Sequence, residues 1–254
     1  NLARSIANFG KTVQYLDCDV EEPNGMIFLK PDITETKEIT MGVPQVNEEL
    51  CNHCGKCGEI CQYSAIVSMK DIVMTFDQLC HSCGGCSFVC PTDAITERPK
   101  EIGFVDIGNA NDVHFAQGRL KIGDIHTPPL ISKTKDYALK DGIVIIDAPP
   151  GTSCPVIEAV KDADFVLLVT EPTPFGLNDL KLAVDMVREL KIPFAVAVNR
   201  SEPDAKMVNE YCEEENIDII FEVPDDRRIA EAYSTGKMIV DIMPEYQEKF
   251  ANMY

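Results

Sequence analysis

Eight of the eleven cysteines fall into two groups, Cys51, Cys54, Cys57 and Cys61, then Cys80, Cys83, Cys86 and Cys90. Each member of the second group lies 29 residues after its counterpart in the first. Gly55 matches Gly84, and the exits Ala65-Ile66 and Ala94-Ile95 match as well, so the segment is an internal repeat with its ligands in register. In the spacing C-x2-C-x2-C-x3-C, three thiolates from one turn grip three irons of a cubane and the fourth reaches across to a second cluster. On that reading Cys51, Cys54, Cys57 and Cys90 hold one 4Fe–4S cluster, and Cys80, Cys83, Cys86 and Cys61 hold the other. Gly55, Gly58, Gly84 and Gly85 suit a backbone that curls around the inorganic core with its N–H groups turned toward sulfur. Structural zinc is the alternative. It favours paired CxxC knuckles with four ligands per closed site, to which a third and fourth cysteine at the same short spacing are surplus.

The rest of the chain must position these groups. Its 254 residues are 45% apolar, enough for a proper core and for one large domain with a small insert. No apolar stretch approaches the roughly eighteen residues that cross a bilayer, and the first residues lack the basic-then-apolar pattern of a secretory signal. A cytoplasmic location is expected, where grouped cysteines point to metal and not to disulfides. A formal charge of -19 repels phosphate backbones and anionic lipid alike, so neither nucleic acid nor membrane is expected as a partner.

Residues 1 to 9 place Leu2, Ile6 and Phe9 on one helical face, with Gly10 as the helix stop. TVQYL then reads as a strand ending in Asp17-Cys18-Asp19, where a parallel strand delivers residues to a ligand crevice. The alternation resumes at 142–151, 163–174, 193–200 and 217–226, each a near-continuous apolar run of the kind covered on both faces. Between them the clearest helix spans 176–190, with Leu177, Leu180, Val184 and Val187 as its buried stripe. Strand and helix in strict rotation predict an α/β fold with a doubly wound, mostly parallel sheet. The segment 98–125 alternates apolar and polar residues around Gly103, Gly108, Gly118 and Gly123, and reads as a β-hairpin that docks the cysteine segment.

Two resemblances follow. Residues 45–97 resemble bacterial-type two-cluster ferredoxins, with Pro91 after Cys90 as that family has it, although Gln62 follows Cys61. The ordered set strand-DCD, strand-DAPPG, strand-TEPTPFGLNDL, strand-VNR and EVPDDRRIAEAYSTGK resembles the MinD/Mrp/nitrogenase-iron-protein superfamily of deviant-Walker ATPases. Within it the chain is similar to the subgroup carrying an inserted ferredoxin domain. The resemblance implies a nucleotide-binding domain over 1–44 and 98–254, with the ferredoxin insert over 45–97. It implies that Asp19, with Asp17, lies in switch I, orienting the attacking water and holding Mg2+ of ATP through its hydration shell. Asp147 would be the Walker B acid, Pro149 and Gly151 part of the hinge that senses the γ-phosphate, and Asn199 and Pro224 the contacts to the base.

The superfamily also needs a glycine-rich loop ending in Gly-Lys-Thr-Thr, and the sequence has none; Gly103 to Gly108 and Gly118 to Gly123 lack the ending. The expectation is that about fifteen to twenty residues, with a first strand and the phosphate loop, precede Asn1. The chain as given is then no ATPase by itself; with a start codon just before Asn1, a plain two-cluster electron carrier on a degenerate scaffold remains. ATP-gated electron transfer is the favoured function, with cluster carriage of the Mrp/NBP35 kind as the alternative. The expected partners are a redox protein with a basic docking patch and a second copy or a paralogue in a dimer. Among the other cysteines, Cys18 is expected beneath switch I, Cys212 on a helix without a partner, and Cys154 as a small residue at a helix start.

Overall fold

The computed structural model describes residues 1–202 and 206–254. Helix α1 (Leu2–Asn8) turns Ala3, Ser5, Ile6 and Ala7 inward and stops at Gly10, whose φ of +78° is the left-handed turn that glycine adopts without cost. Phe9 lies past the helix end and is 58% exposed, so the buried stripe is Ala3, Ile6 and Ala7 and not the expected Leu2, Ile6 and Phe9. Strand β1 (Val13–Asp17) follows, then α2 (Gly25–Leu29) and β2 (Asp32–Val46). The cysteine segment holds α3 (Lys56–Ile60), β3 (Ile66–Met69), β4 (Ile72–Thr75) and α4 (Gly85–Phe88). Next come β5 (Ile95–Ala110), β6 (Val113–Leu120), α5 (Thr127–Lys135), β7 (Ile143–Asp147) and α6 (Cys154–Val160). The remainder is β8 (Val166–Thr170), α7 (Pro174–Leu190), β9 (Phe194–Ser201), α8 (Met207–Glu214), β10 (Ile219–Pro224), α9 (Arg227–Ser234), α10 (Ile239–Ile242) and α11 (Glu245–Ala251).

The expected hairpin is β5 and β6, turning at Asn111 with φ +53°. Strand β2 was not expected. It pairs antiparallel with β5 from Asp32 opposite Asn109 to Val46 opposite Ile95, so the cysteine segment stands at the end of a long two-stranded ribbon. Its inward face alternates Ile39, Met41 and Val43, a period-2 signal present in the sequence but diluted by the exposed run Glu35 to Glu38.

The strands form a five-stranded sheet in the order β2-β5-β6-β1-β7 and a three-stranded sheet β10-β9-β8. β1 runs parallel to β6 and β7, and β8, β9 and β10 are mutually parallel, while β2, β5 and β6 pair antiparallel. The architecture is thus a mixed α/β sheet, with the antiparallel ribbon replacing the uniform parallel winding on one flank. Among the described residues, the outer edges of β7 and β8 have no strand beside them. Both border one cavity of about 510 Å3 lined by Ile145, Ile146, Leu167, Val169 and residues of α1, β9 and β10. Val169, in the middle of an apolar strand, is 66% exposed there, which departs from the covered strand its sequence suggested.

One apolar cluster joins Leu16, Cys18 and Val20 to Val43, Ile102 and Leu130, and it also takes in Ala65 and Cys80 of the cysteine segment. Helix α7 buries Leu180, Val184 and Val187 as expected, while Leu177 is only partly covered. Helix α11 folds Tyr246 and Phe250 back against the body, Phe250 meeting Phe221 at 4.8 Å between ring centroids. Among the described residues no helix is long and apolar enough to cross a membrane.

Candidate functional site

The two halves of the cysteine segment share one backbone. His53 and Ser82, Gly55 and Gly84, and Ser64 and Asp93 all take positive φ at positions 29 apart, and α3 and α4 start at equivalent residues. The halves interlock: Asn47 N–H donates to Ala94 at 2.7 Å, and its repeat equivalent Phe76 donates to Ala65 at 2.7 Å. Each half therefore clasps the exit of the other. A hollow lined by Cys51, Cys54, Cys57 and Cys90 results, which brings together a set drawn from both halves. In the second set Cys80 neighbours Cys83 and Cys61, and Cys86 neighbours Cys80.

The fourth cysteine of each half has a distinct environment. Burial works against ionisation at Cys61, but N–H groups of Tyr63, Ile66, Ala65 and Ser64 offset it and lower the thiol; the Ala65 N–H lies 3.3 Å from Sγ. At Cys90, burial is likewise outweighed by Thr92, Ala94 and Ile95, so the thiol is again lowered. Burial raises Cys57, Cys80 and Cys86. Among the described residues no three His, Cys, Asp or Glu side chains converge as they would on a single metal ion.

The carboxylates gather at the ends of β1 and β7, which stand in register so that Asp17 lies opposite Asp147. Asp17 is fully buried, and its two oxygens accept the N–H groups of Asp19 at 3.2 Å and Gly25 at 2.9 Å. Burial raises its carboxyl to about 6, although those two N–H bonds act in the opposite direction. Asp17 therefore braces the loop 18–24 from beneath, and Asp19 is the partly exposed acid of the pair. The Tyr15 hydroxyl donates to Asp147, its ring stacking on Phe115 at 6.0 Å and packing so tightly on Gly25 that a Cβ there would sit 2.3 Å from it. Burial and the Asp147 charge hold that phenol well above its ordinary range. Tyr15 is a site residue that sequence reading missed, because only the fold brings it across to β7.

Asp147 and Asn199 line the same cavity between the two sheets, whereas Asp19, Pro149, Gly151 and Pro224 lie outside its lining. Pro149 and Gly151 sit in the β7–α6 loop, Gly151 at φ +93°, and Pro224 ends β10 with its ring exposed. Gly10-Lys11-Thr12 has the ending of a phosphate loop but leads from α1 into β1, with Lys11 exposed; a phosphate loop runs instead from a strand into a helix. Cys18 is buried at the start of the 18–24 loop, and burial with the Asp17 charge pushes its thiol up to about 12. Cys212 is buried on α8 and Cys154 exposed at the start of α6.

Parallel strands that deliver residues at their carboxyl ends, with helices between them, define an α/β protein whose ligand crevice lies at those strand ends. Residues 1–239 match the CobQ/CobB/MinD/ParA nucleotide binding domain family, and the chain belongs to it. It is 30% identical over 245 residues to the protein MJ0579 of Methanocaldococcus jannaschii, covering 93% of this chain and 84% of that one. Over an alignment of 136 positions that covers 44% of this chain and 45% of the relative, it is 26% identical to the iron-sulfur cluster carrier protein of Pyrococcus horikoshii. In fold it is similar to the septum site-determining protein MinD of Pyrococcus horikoshii, solved with Mg-ADP, at a TM-score of 0.57 and 16% identity, covering 100% of this chain and 86% of that one. The fold is that of a MinD-like P-loop NTPase.

Proposed function

We propose that the chain is the body of an iron–sulfur ATPase in which nucleotide binding and hydrolysis gate electron flow through two 4Fe–4S clusters. The observation that carries this is the interlocked repeat: two cysteine quartets 29 residues apart, with Cys90 of one half completing the hollow lined by Cys51, Cys54 and Cys57 of the other. The residues fit such groups. A cubane attaches its thiolates to four separate irons, so it asks for a hollow ringed by sulfur where zinc asks for sulfurs converging on one point, and N–H groups aimed at sulfur stabilise its charge. Bound clusters supply one-electron redox chemistry. Cys51, Cys54, Cys57 and Cys90 would hold one, and Cys80, Cys83, Cys86 and Cys61 the other.

On the nucleotide side, Asp19 and Asp147 take Mg2+ and the attacking water, Pro149 and Gly151 the hinge after β7, and Asn199 and Pro224 the base. The common cavity of Asp147 and Asn199 supports this, as does the bracing of the Asp19 loop by Asp17. Among the described residues the edges of β7 and β8 that border that cavity have no strand beside them, and we assign the space to a parallel strand leading into a phosphate loop, without which no triphosphate is held. A redox partner with a basic patch suits the charge of -19, and a second copy or a paralogue closes the nucleotide site.

The full-length protein, reconstituted anaerobically, should carry about eight irons per chain and pass electrons from a low-potential donor to an acceptor faster with ATP than without. Equal rates favour the cluster-carrier reading, which the partial similarity to the Pyrococcus carrier supports and which transfer of iron to an apo-acceptor tests. Zinc in stoichiometric amount overturns both.

A further inference from the structure

A two-residue segment touches both candidate sites. His126, 6% exposed, ends the β6–α5 connection and sets Nε2 3.0 Å from the carbonyl oxygen of Cys80. A carbonyl only accepts, so Nε2–H donates. The next residue, Thr127, is 4% exposed and its hydroxyl donates to Glu21 at 3.3 Å, two positions beyond Asp19 in the loop after β1. The segment is held from its other side. Asp124 accepts from the backbone N–H groups of Ile125 at 2.8 Å and His126 at 3.0 Å, and Lys100 on β5 reaches Asp124 at 2.6 Å and His126 Nδ1 at 3.1 Å. The Asp19 loop is tied to the same region: the carbonyl of Val20 accepts from Leu120 N–H at 2.7 Å, and its side chain packs on Gly118, where a Cβ would stand 2.5 Å away.

We propose that His126 and Thr127 are positioning residues that couple the loop carrying Asp19 to the cysteine set of Cys80, so that nucleotide bound at the first changes the redox potential at the second. The proposal rests on the function proposed above. Cys80 and Ala65 share the apolar cluster of Cys18 and Val20, whereas Cys51 and Cys54 do not, so the coupling reaches the set of Cys61, Cys80, Cys83 and Cys86 and spares the other. A phosphate-bound cation drawing Asp19 toward the crevice moves Glu21 with it. Glu21 is exposed and its tie to Thr127 is one hydrogen bond, so breaking that bond releases this contact of the loop. Linkage then demands reciprocity: the factor by which nucleotide shifts the oxidised-to-reduced ratio of the cluster is the factor by which reduction shifts nucleotide affinity.

The test uses full-length protein with both clusters reconstituted, titrated electrochemically with EPR detection, with and without Mg-ATP. The wild type should show one of its two clusters shifting by about tenfold in oxidised-to-reduced ratio, about 59 mV for a one-electron couple, and the other unmoved. Glu21→Ala at the surface and Thr127→Val at nearly equal volume should each reduce that shift to less than about twofold with iron content unchanged, while His126→Gln, which keeps an N–H donor, should retain part of it. Shifts of equal size in wild type and both variants overturn the coupling. Hydrogen exchange gives a readout free of metal and nucleotide: Glu21→Ala and Thr127→Val should raise exchange of the 80–83 amides several-fold, and unchanged exchange overturns the bridge. Wild-type protein without iron or nucleotide overturns the proposed function instead, and leaves exchange to decide the bridge.

Discussion

Asp17→Asn is the most direct perturbation of the site, because its effect depends on pH in a direction that burial dominates. Burial raises the folded-state carboxyl from 3.8 to about 6. A carboxyl raised on folding is a source of stability at low pH, and that stability is lost as pH rises through the folded value. At about 1.36 kcal/mol per pKa unit, ionising Asp17 costs the folded protein about 3 kcal/mol at neutral pH relative to acid. Roughly 1 kcal/mol of that is already lost at pH 4.5 and nearly all by pH 7.5, so the window between them spans about 2 kcal/mol. Asparagine keeps one oxygen for the N–H groups of Asp19 and Gly25 but never ionises. The difference in unfolding free energy between wild type and Asp17→Asn, measured by urea denaturation at the two pH values, should therefore move by about 2 kcal/mol in favour of the variant at pH 7.5. Carboxyl carbon NMR should show the Asp17 resonance titrating near 6. A pH-independent difference, or a resonance titrating in the ordinary carboxylate range, refutes the burial argument.

Three further outcomes follow from the same geometry. On the proposed reading, in which each cluster draws its fourth cysteine from the other half, Cys51→Ala combined with Cys90→Ala should cost one cluster, about four irons of eight, while Cys51→Ala combined with Cys61→Ala should cost both; iron analysis with EPR that found the opposite pattern would reverse the pairing. Gly25→Ala drives a Cβ to 2.3 Å from the Tyr15 ring and should cost about 1–3 kcal/mol, read as a lower denaturation midpoint, with Gly25→Ser no better. Asp19→Ala in the full-length protein should abolish nucleotide turnover and leave the iron content intact; loss of both would show that residues 45–97 do not form a separate unit.

The cysteine repeat could be read directly, since cysteine spacing and a 29-residue period are properties of the chain and need no partner to be seen. The strands at 143–147, 166–170, 194–201 and 219–224 and the stripe of Leu180, Val184 and Val187 were equally local, and the ends of β1 and β7 were recognisable by their acids. Strand β2 escaped because its register is set by β5, whose partner residues lie 49 positions further along the chain at Val46 and 77 at Asp32, and its exposed stretch carries no apolar alternation. The brace from Asp17 to Gly25, the Tyr15 bond to Asp147 and the contact of His126 with Cys80 have no sequence signature, since tyrosine, histidine and aspartate look the same wherever they are.

The sequence alone determined the 29-residue register of the two cysteine groups and where the parallel strands run, because both follow from short-range periodicity in side-chain chemistry. Tertiary structure alone decided that the sheet divides at β7 and β8, that the cysteine segment shares its core with the nucleotide-binding body, and that one histidine spans the two. Those are outcomes of pairing between distant segments, where the energy of burial and hydrogen bonding depends on which surfaces meet and not on the order of residues within either.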